Sequence, residues 1–484
     1  MADNAPTPVI RKTTHDWPAI QVALAPVEVL DDPTAVKKRS RDFFWYSPIL
    51  NAELRHSFGE LVVCPKTPDE LARCLAVAYA HDIPVTLRGG GTGNYGQAVP
   101  LKGGLILETT AMRKILEIGQ DFVRVEAGAM MIDINAALAP HGREMALFPS
   151  TQDIATVGGF VAGGSAGIGS IANGPLRENG NIRALKVLSL EAEPSEHVFK
   201  GRDVLRIHHA WGMNGAITEV TLRTVPSHDW IGCMAGFDTY QDAYAAGYAL
   251  ASVPEATIAR KLCSVVDARI ANYFPRLDTR VPGGRNLLVT LVPRAQLDAL
   301  RTLITRQGGI LHLAMDEAER TAGKLPHVFE FAYNHTTLQV LKSDRRATYQ
   351  QIGVPDPADT ATVARVYDAL GDDVWPHHEF TRGDGVICAA DLPIIWFTSP
   401  ERLARINAIY KAHGFTIHDA HVNVIEGNHM QPDYQHLAWK RRLDPKGLMN
   451  PGKSTAWERV KHLTAEAIEA LGRTKPDMQD RPEG

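Results

Sequence analysis

RGGGTGNYG, residues 88–96, sets five glycines among nine positions directly after the apolar stretch Val85-Thr86-Leu87. Within it, Gly91, Gly93 and Gly96 have the spacing of a dinucleotide-binding turn. That turn works only between a strand and a helix, so that the helix N-terminus meets a pyrophosphate. Here Gly96 leads into Gln97, Ala98, Val99 and Pro100, then into Gly103-Gly104 and another apolar run. No helix can start there, so this reading fails. The glycines still allow positive φ and close approach of backbone N–H groups to a ligand. Arg88 adds a charge at the loop's start or holds the loop in place. The plain alternative is a tight connection in an ordinary α/β protein.

Upstream, Thr67, Pro68 and Glu70 have the pattern of a capped helix start, and Leu71, Cys74, Leu75 and Ala78 continue it at helical spacing. Downstream the pattern predicts strands over 105–108 and 122–126 and a helix over 132–138. A second glycine run, TVGGFVAGGSAGIGS, occupies residues 156–170 after Phe148-Pro149-Ser150. A surface so poor in side chains suits a large planar ligand, with Thr156 and Ser165 available for hydrogen bonds; a flexible loop or a close helix contact is the alternative. Strands over 182–190 and 216–224 flank an expected helix over 202–210, and Pro226 closes the block. Beyond it the units lengthen. Strands are expected over 231–237, 286–292 and 416–425, and helices over 240–251, 295–306 and 400–413. This describes a sheet with helices on one face.

At 484 residues the chain exceeds one ordinary hydrophobic core, so two domains are expected. Its 44% hydrophobic and 22% charged residues are those of a globular protein, and a net charge of −4 gives no field for nucleic acid. The five cysteines are scattered without a CxxC pair, so reduced thiols and a cytoplasmic location are expected. Met1 to Arg11 lack an apolar signal core, and no apolar run is long enough to span a bilayer. A homodimer is the base-rate assembly. Residues 473–484 are polar and expected to be disordered.

Four stretches together carry a resemblance: PVTLRGGGTGNYG (residues 84–96), ATVGG (155–159) with its trailing GGSAGIGS, GAITEVTLR (215–223) and DPKGLMNPGK (444–453). The chain resembles the vanillyl-alcohol oxidase superfamily, with its p-cresol methylhydroxylase (PCMH)-type FAD-binding domain, nearest the branch that holds glycolate oxidase and D-lactate dehydrogenase. The resemblance implies an α+β fold, with a two-subdomain FAD-binding domain and an inserted α+β cap. The FAD-binding part would cover 1–226 and return over 426–472, with the cap over 227–425. It implies that Arg88, Gly89, Gly90, Gly91, Thr92, Gly93, Asn94, Tyr95 and Gly96 wrap the pyrophosphate. Pro149, Ser150, Thr156, Gly158, Gly159, Gly163, Ser165 and Gly167 would line the cofactor. Gly215 and Ile217 would meet the adenine side, and Asn450 and Lys453 would close the flavin site. Thr92 stands where some members tether flavin through histidine, so non-covalent FAD is expected.

The expected reaction is oxidation of a CH–OH group, a 2-hydroxy acid first, by hydride transfer to flavin. It requires a base for the hydroxyl proton and a cation for the carboxylate. HDAHVNVIEGNH, residues 418–429, puts Asp419, His421 and Asn423 on one face if it is a strand. His421 is the expected base with Asn423 beside it. A second cluster holds His377, His378, Glu379 and Arg382, with Arg382 suited to a carboxylate; a third offers Tyr333 and His335. For each of these residues, ordinary polar surface or satisfied partial burial is the competing reading. Some relatives bind a divalent ion through a HxGDGNxH-type stretch. Here His421 and His429 are a residue too far apart and the Asp is absent, so no metal is expected. Alternatives are oxidation of a phenolic or aromatic alcohol, or a flavin-binding protein without turnover. The electron acceptor is left open.

Overall fold

The computed structural model describes residues 15–274, 279–427 and 432–473. Four sheets form among the described residues, a small one of Ala347–Tyr349, Ile394–Trp396 and Val374–Trp375 and three larger ones that organise the fold. The first is parallel through Leu61–Cys64, Leu105–Glu108 and Val85–Arg88, with Glu28–Leu30 added antiparallel at one edge. The crossover helix Pro68–Ala80 packs on it, with Leu71, Cys74, Leu75 and Ala78 fully buried. Thr67 Oγ1 accepts the Glu70 N–H at 3.2 Å, while the Glu70 carboxylate reaches back to the Lys66 N–H at 2.6 Å. The box therefore closes one residue earlier than the sequence suggests.

The second sheet is antiparallel, in the order Ile115–Ile118, Phe122–Glu126, Ala216–Pro226, Ile182–Leu188, Glu196–Lys200, with Arg143–Met145 paired to the end of Ala216–Pro226. The third is an eight-stranded antiparallel sheet that begins at Trp230–Phe237 and includes Leu262–Val266, Asn286–Pro293 and His377–Gly383. Its residues alternate in allegiance, as period-2 side chains must. Cys233, Ala235, Val265 and Phe380 join the core under helices Tyr240–Ser252, Leu297–Arg306, Thr360–Leu370 and Pro400–Ala412. Met234, Leu262, Val266 and Val289 join the core shared with the second sheet. The third sheet is therefore clamped between its own helices and the preceding sheet.

Two expectations are corrected, and two features went unpredicted. The strand over 416–425 ends at His418, because residues 419–427 turn away. The alternation that put Asp419, His421 and Asn423 on one face therefore does not apply. The helix over 202–210 is a 3-10 turn, Gly201–Arg206. The second glycine run contains a helix, Val157–Gly163, where Thr156 caps the Gly159 N–H at 3.3 Å. Helices Trp17–Leu24, Pro33–Arg39 and Pro48–Leu54 were also missed. Their signals were present: Asp16, Asp32 and Ser47 each accept an N–H of the first turn, with a proline at the first or second helical position.

Candidate functional site

The two glycine runs meet. A Cβ on Gly90 would overlap the Ile154 carbonyl oxygen, so only glycine lets the first loop lie against the segment that leads into helix Val157–Gly163. Arg88 folds its guanidinium over Gly91, which has φ +66°, and donates to the Arg41 carbonyl at 2.7 Å. Its charge holds the loop. Between the runs lies a cleft of about 860 Å³, open solvent at its mouth included. Backbone of residues 88–93 forms one wall, and Thr156, Gly158, Gly159 and Gly163 form another. The third wall is the segment 207–217, pinned to the helix by His209 N–H to Val161 O and Trp211 N–H to Ala162 O, both at 3.1 Å.

This cleft is built for a ligand. Beyond its own stretch of helix, a Cβ on Gly163 would meet no atom within 4 Å, and Gly163 lines the cleft, so the space beside it belongs to the cleft. Trp211 Nε1 and Asn214 Oδ1 are buried without a hydrogen-bond partner among the described residues. Buried polar atoms are rarely left so. The Trp211 ring stacks on Tyr95 at 6.1 Å and 5°.

The C-terminal stretch returns to this place. Asp444 accepts from Lys440 Nζ and from the N–H groups of Leu448 and Met449. That turn lays residues 448–450 beside Val85, with Val85 N–H donating to Leu448 O and Asn450 N–H to Val85 O. Asn450 Nδ2 then ties Gln97 O and Trp211 O at 2.8 and 2.7 Å. Lys453 is fully buried, and its Nζ has no partner among the described residues. Burial pushes its pKa down to about 7, opposed by the Asp42 carboxylate, itself raised to about 6 by burial.

His421 sits where this return meets the N-terminal helices. It is 4% exposed, its Nδ1 is 2.7 Å from Ser47 Oγ, and its Nε2 has no partner among the described residues. Burial lowers its pKa, with Asp419 and the Tyr349 carbonyl opposing. Asn423 is close in sequence but donates to Glu53 at 3.2 Å instead. Along His377–Gly383 the strand separates two candidates. Glu379 faces Tyr333 and accepts the Tyr333 N–H at 2.6 Å, whereas His378 lies on the other face beneath Tyr244. Tyr333, at φ +49°, donates its hydroxyl to Gly167 O and lies 3.1 Å from Ser170 Oγ. Arg382 directs its donors at the carbonyls of Ile171, Gly385 and Ala251. His335 is buried beside Glu330. His429 lies outside the described residues, as do residues 474–484 of the tail.

Residues 59–191 match the family model described as FAD binding domain. The cleft lies where that match and the 207–217 segment meet, and its lining suits the cofactor. This chain carries an FAD-binding domain. Curated relatives of the FAD-binding domain include the glycolate oxidase subunit GlcD of Escherichia coli K12, 32% identical over 38% of this chain and 38% of that protein. The D-lactate dehydrogenase of Archaeoglobus fulgidus is 30% identical over 38% of this chain and 43% of that one. The D-2-hydroxyglutarate dehydrogenase of Pseudomonas putida is 36% identical over 25% of this chain and 12% of that one. Each alignment thus spans less than half of the relative. Two solved structures of alkyldihydroxyacetonephosphate synthase cover 94% and 93% of this chain and 88% and 87% of theirs. Their TM-scores are 0.67 and 0.66 at 15% identity, a likeness of fold.

Among residues expected to hold FAD, Arg88 to Gly93, Thr156, Gly158, Gly159, Gly163, Gly215 and Ile217 line the cleft. Asn94 instead donates to Tyr349 Oη at 2.6 Å, Ser165 is exposed, and Gly167 serves Tyr333. Pro149 and Ser150 are half-buried outside the lining. Sequence reading missed Gln97, Thr109, Trp211 and Asn214, which also line it. The string AWGMNG, 210–215, preceding the strand was the available signal. No helix among the described residues is long and apolar enough to cross a membrane. No cluster of three or more metal-ligating side chains occurs among them.

Lys453 yields a stability prediction. Above pH 10.5 it is neutral folded and unfolded alike; between 10.5 and about 7 only the unfolded chain takes the proton. Its burial therefore costs progressively more stability as pH falls to about 7 and a constant amount below. Lys453→Met should raise the melting temperature of FAD-free protein at pH 6–7, with the gain vanishing towards pH 10.5. A gain independent of pH would assign Lys453 a different state.

Proposed function

We propose that this chain is an FAD-dependent oxidoreductase that holds FAD non-covalently and oxidises the CH–OH group of a 2-hydroxy acid. In this reading 1–226 and 426–472 form the FAD-binding unit, and 227–425 caps it. The observation that carries it is two unpartnered buried groups, His421 Nε2 and Lys453 Nζ, on the segments that close the FAD-binding domain. The substrates named for the relatives above, glycolate, D-lactate and D-2-hydroxyglutarate, are all 2-hydroxy acids.

Bound FAD supplies a hydride acceptor. His421, kept neutral by burial, accepts the hydroxyl proton at Nε2 while Nδ1–H donates to Ser47 Oγ. Ser47 Oγ also accepts the Leu50 N–H as a helix cap, so the imidazole orientation is set by a rigid element. Arg382 is occupied by backbone carbonyls, so the positive charge for the carboxylate falls to Lys453; a bound anion favours its protonated form. Tyr333, fixed through Glu379, Ser264 and His377, contributes a positioned hydroxyl. A second reading, oxidation of an aromatic alcohol, is favoured by the rings of Phe43, Trp45, Tyr46 and Tyr349 packed beside Ser47.

The test is spectroscopic. Purified protein should show the visible flavin bands and release them on denaturation, with Thr92 unable to tether the ring. Anaerobic addition of 2-hydroxy acids should bleach the bands, and bleaching by aromatic alcohols alone selects the second reading. Flavin that stays with denatured protein would overturn non-covalent binding. Bands that no donor bleaches would leave a flavin-binding protein without turnover.

A further inference from the structure

The third sheet has a second ligand-sized cleft on its helix face, between helices Tyr240–Ser252 and Thr360–Leu370. Counted as for the first cleft it holds about 860 Å³. Three aromatic rings line it, Tyr240, Tyr244 and Tyr367, and three carboxylates, Asp267, Asp368 and Asp372. One guanidinium, Arg269, stands against those carboxylates, and it is engaged with both oxygens of Asp267 at 2.9 Å. The remaining charge is negative, and Asp368 is exposed at the mouth.

The interior agrees with the rim. Tyr367 and Tyr410 donate to Asp391 Oδ2 at 2.6 and 2.9 Å, and Tyr240 Oη is 2.6 Å from His378 Nδ1. His378 is kept neutral by burial, so it adds no positive charge. Burial above all, with the charges of Asp391, Asp356 and Asp359 adding to it, holds the Tyr244 hydroxyl in its neutral form. Tyr244 lines the cleft with a side chain 1% exposed, and its hydroxyl is buried without a hydrogen-bond partner among the described residues. Aromatic faces with a net negative rim attract a cation and disfavour an anion. No cluster of metal-ligating side chains is present among the described residues, which points to an organic cation.

We propose that this second cleft binds a protonated primary amine. The ammonium group donates to Tyr244 Oη and to the Asp368 carboxylate, and its carbon chain lies along the tyrosine rings. The site is on the face of the sheet away from the FAD-binding domain, and it does not depend on the redox reading.

The test is calorimetric titration of the FAD-loaded full chain with n-butylammonium chloride, using 1-butanol as the neutral isostere and potassium chloride as the salt control. Saturable binding of one n-butylammonium per chain is expected, with 1-butanol at least about tenfold weaker. Tyr244→Phe and Asp368→Asn should each weaken binding roughly threefold to tenfold. Both should leave the melting temperature and flavin spectrum unchanged, because Tyr244 Oη has no partner to lose and Asp368 is exposed. Absence of saturable binding, equal affinity for 1-butanol, or an unchanged affinity in both variants would overturn the proposal.

Discussion

Gly163→Leu should fold normally and purify without flavin. Gly163 ends helix Val157–Gly163, is not among the positive-φ glycines, and has no atom outside its own stretch of helix within 4 Å of its missing Cβ. Leucine there suits the helix better than glycine by up to about 1 kcal/mol. Its side chain, however, would project into the cleft beside the FAD-holding wall. A loss of FAD affinity of about a hundredfold or more is expected, about 2.8 kcal/mol. Flavin-to-protein ratio, FAD titration of the stripped protein and a thermal melt read the three parts separately. Gly90→Ala is the contrast. Its Cβ collides with the Ile154 carbonyl, so it should lose both flavin and stability. Stoichiometric FAD in Gly163→Leu would mean that the cofactor lies elsewhere.

His421→Asn should retain FAD and lose turnover by about 10²–10⁴-fold, the range for a missing general base. The pH profile carries a second, independent signature. A base acts when deprotonated, and burial holds His421 below the ordinary histidine value of 6.5. The acidic limb of kcat should therefore fall below pH 6.5, with kcat flat from there to pH 8. Loss of that limb in the asparagine variant would tie it to this imidazole. An unchanged kcat, or a wild-type limb above 6.5, would remove His421 from the role.

Elements with local signals were legible in the residues alone. The capped helix at Thr67 and the strands over 105–108 and 122–126 follow from caps and short-range periodicity, and they form where expected. The absence of a helix after Gly96 was equally local, because Pro100 and Gly103-Gly104 leave no room for one. Most of the first glycine run was placed on the cleft because its chemistry, backbone without side chains, is itself a local property.

Long-range packing settled the remainder. Residues 419–425 look like the rest of a strand until the return from His418 has to turn towards Ser47, which lies 374 positions from His421 in sequence. Adjacent residues His378 and Glu379 read as one cluster, yet a strand buried on both faces sends them to opposite sides. Trp211 and Asn214 had only the faint signal of AWGMNG; they line the cleft because two backbone hydrogen bonds hold their segment against a helix almost fifty residues earlier. Arg382 had the right chemistry for a carboxylate, and three backbone carbonyls claimed it first. A residue's chemistry is written in its own side chain, but which partner reaches it depends on segments hundreds of positions away.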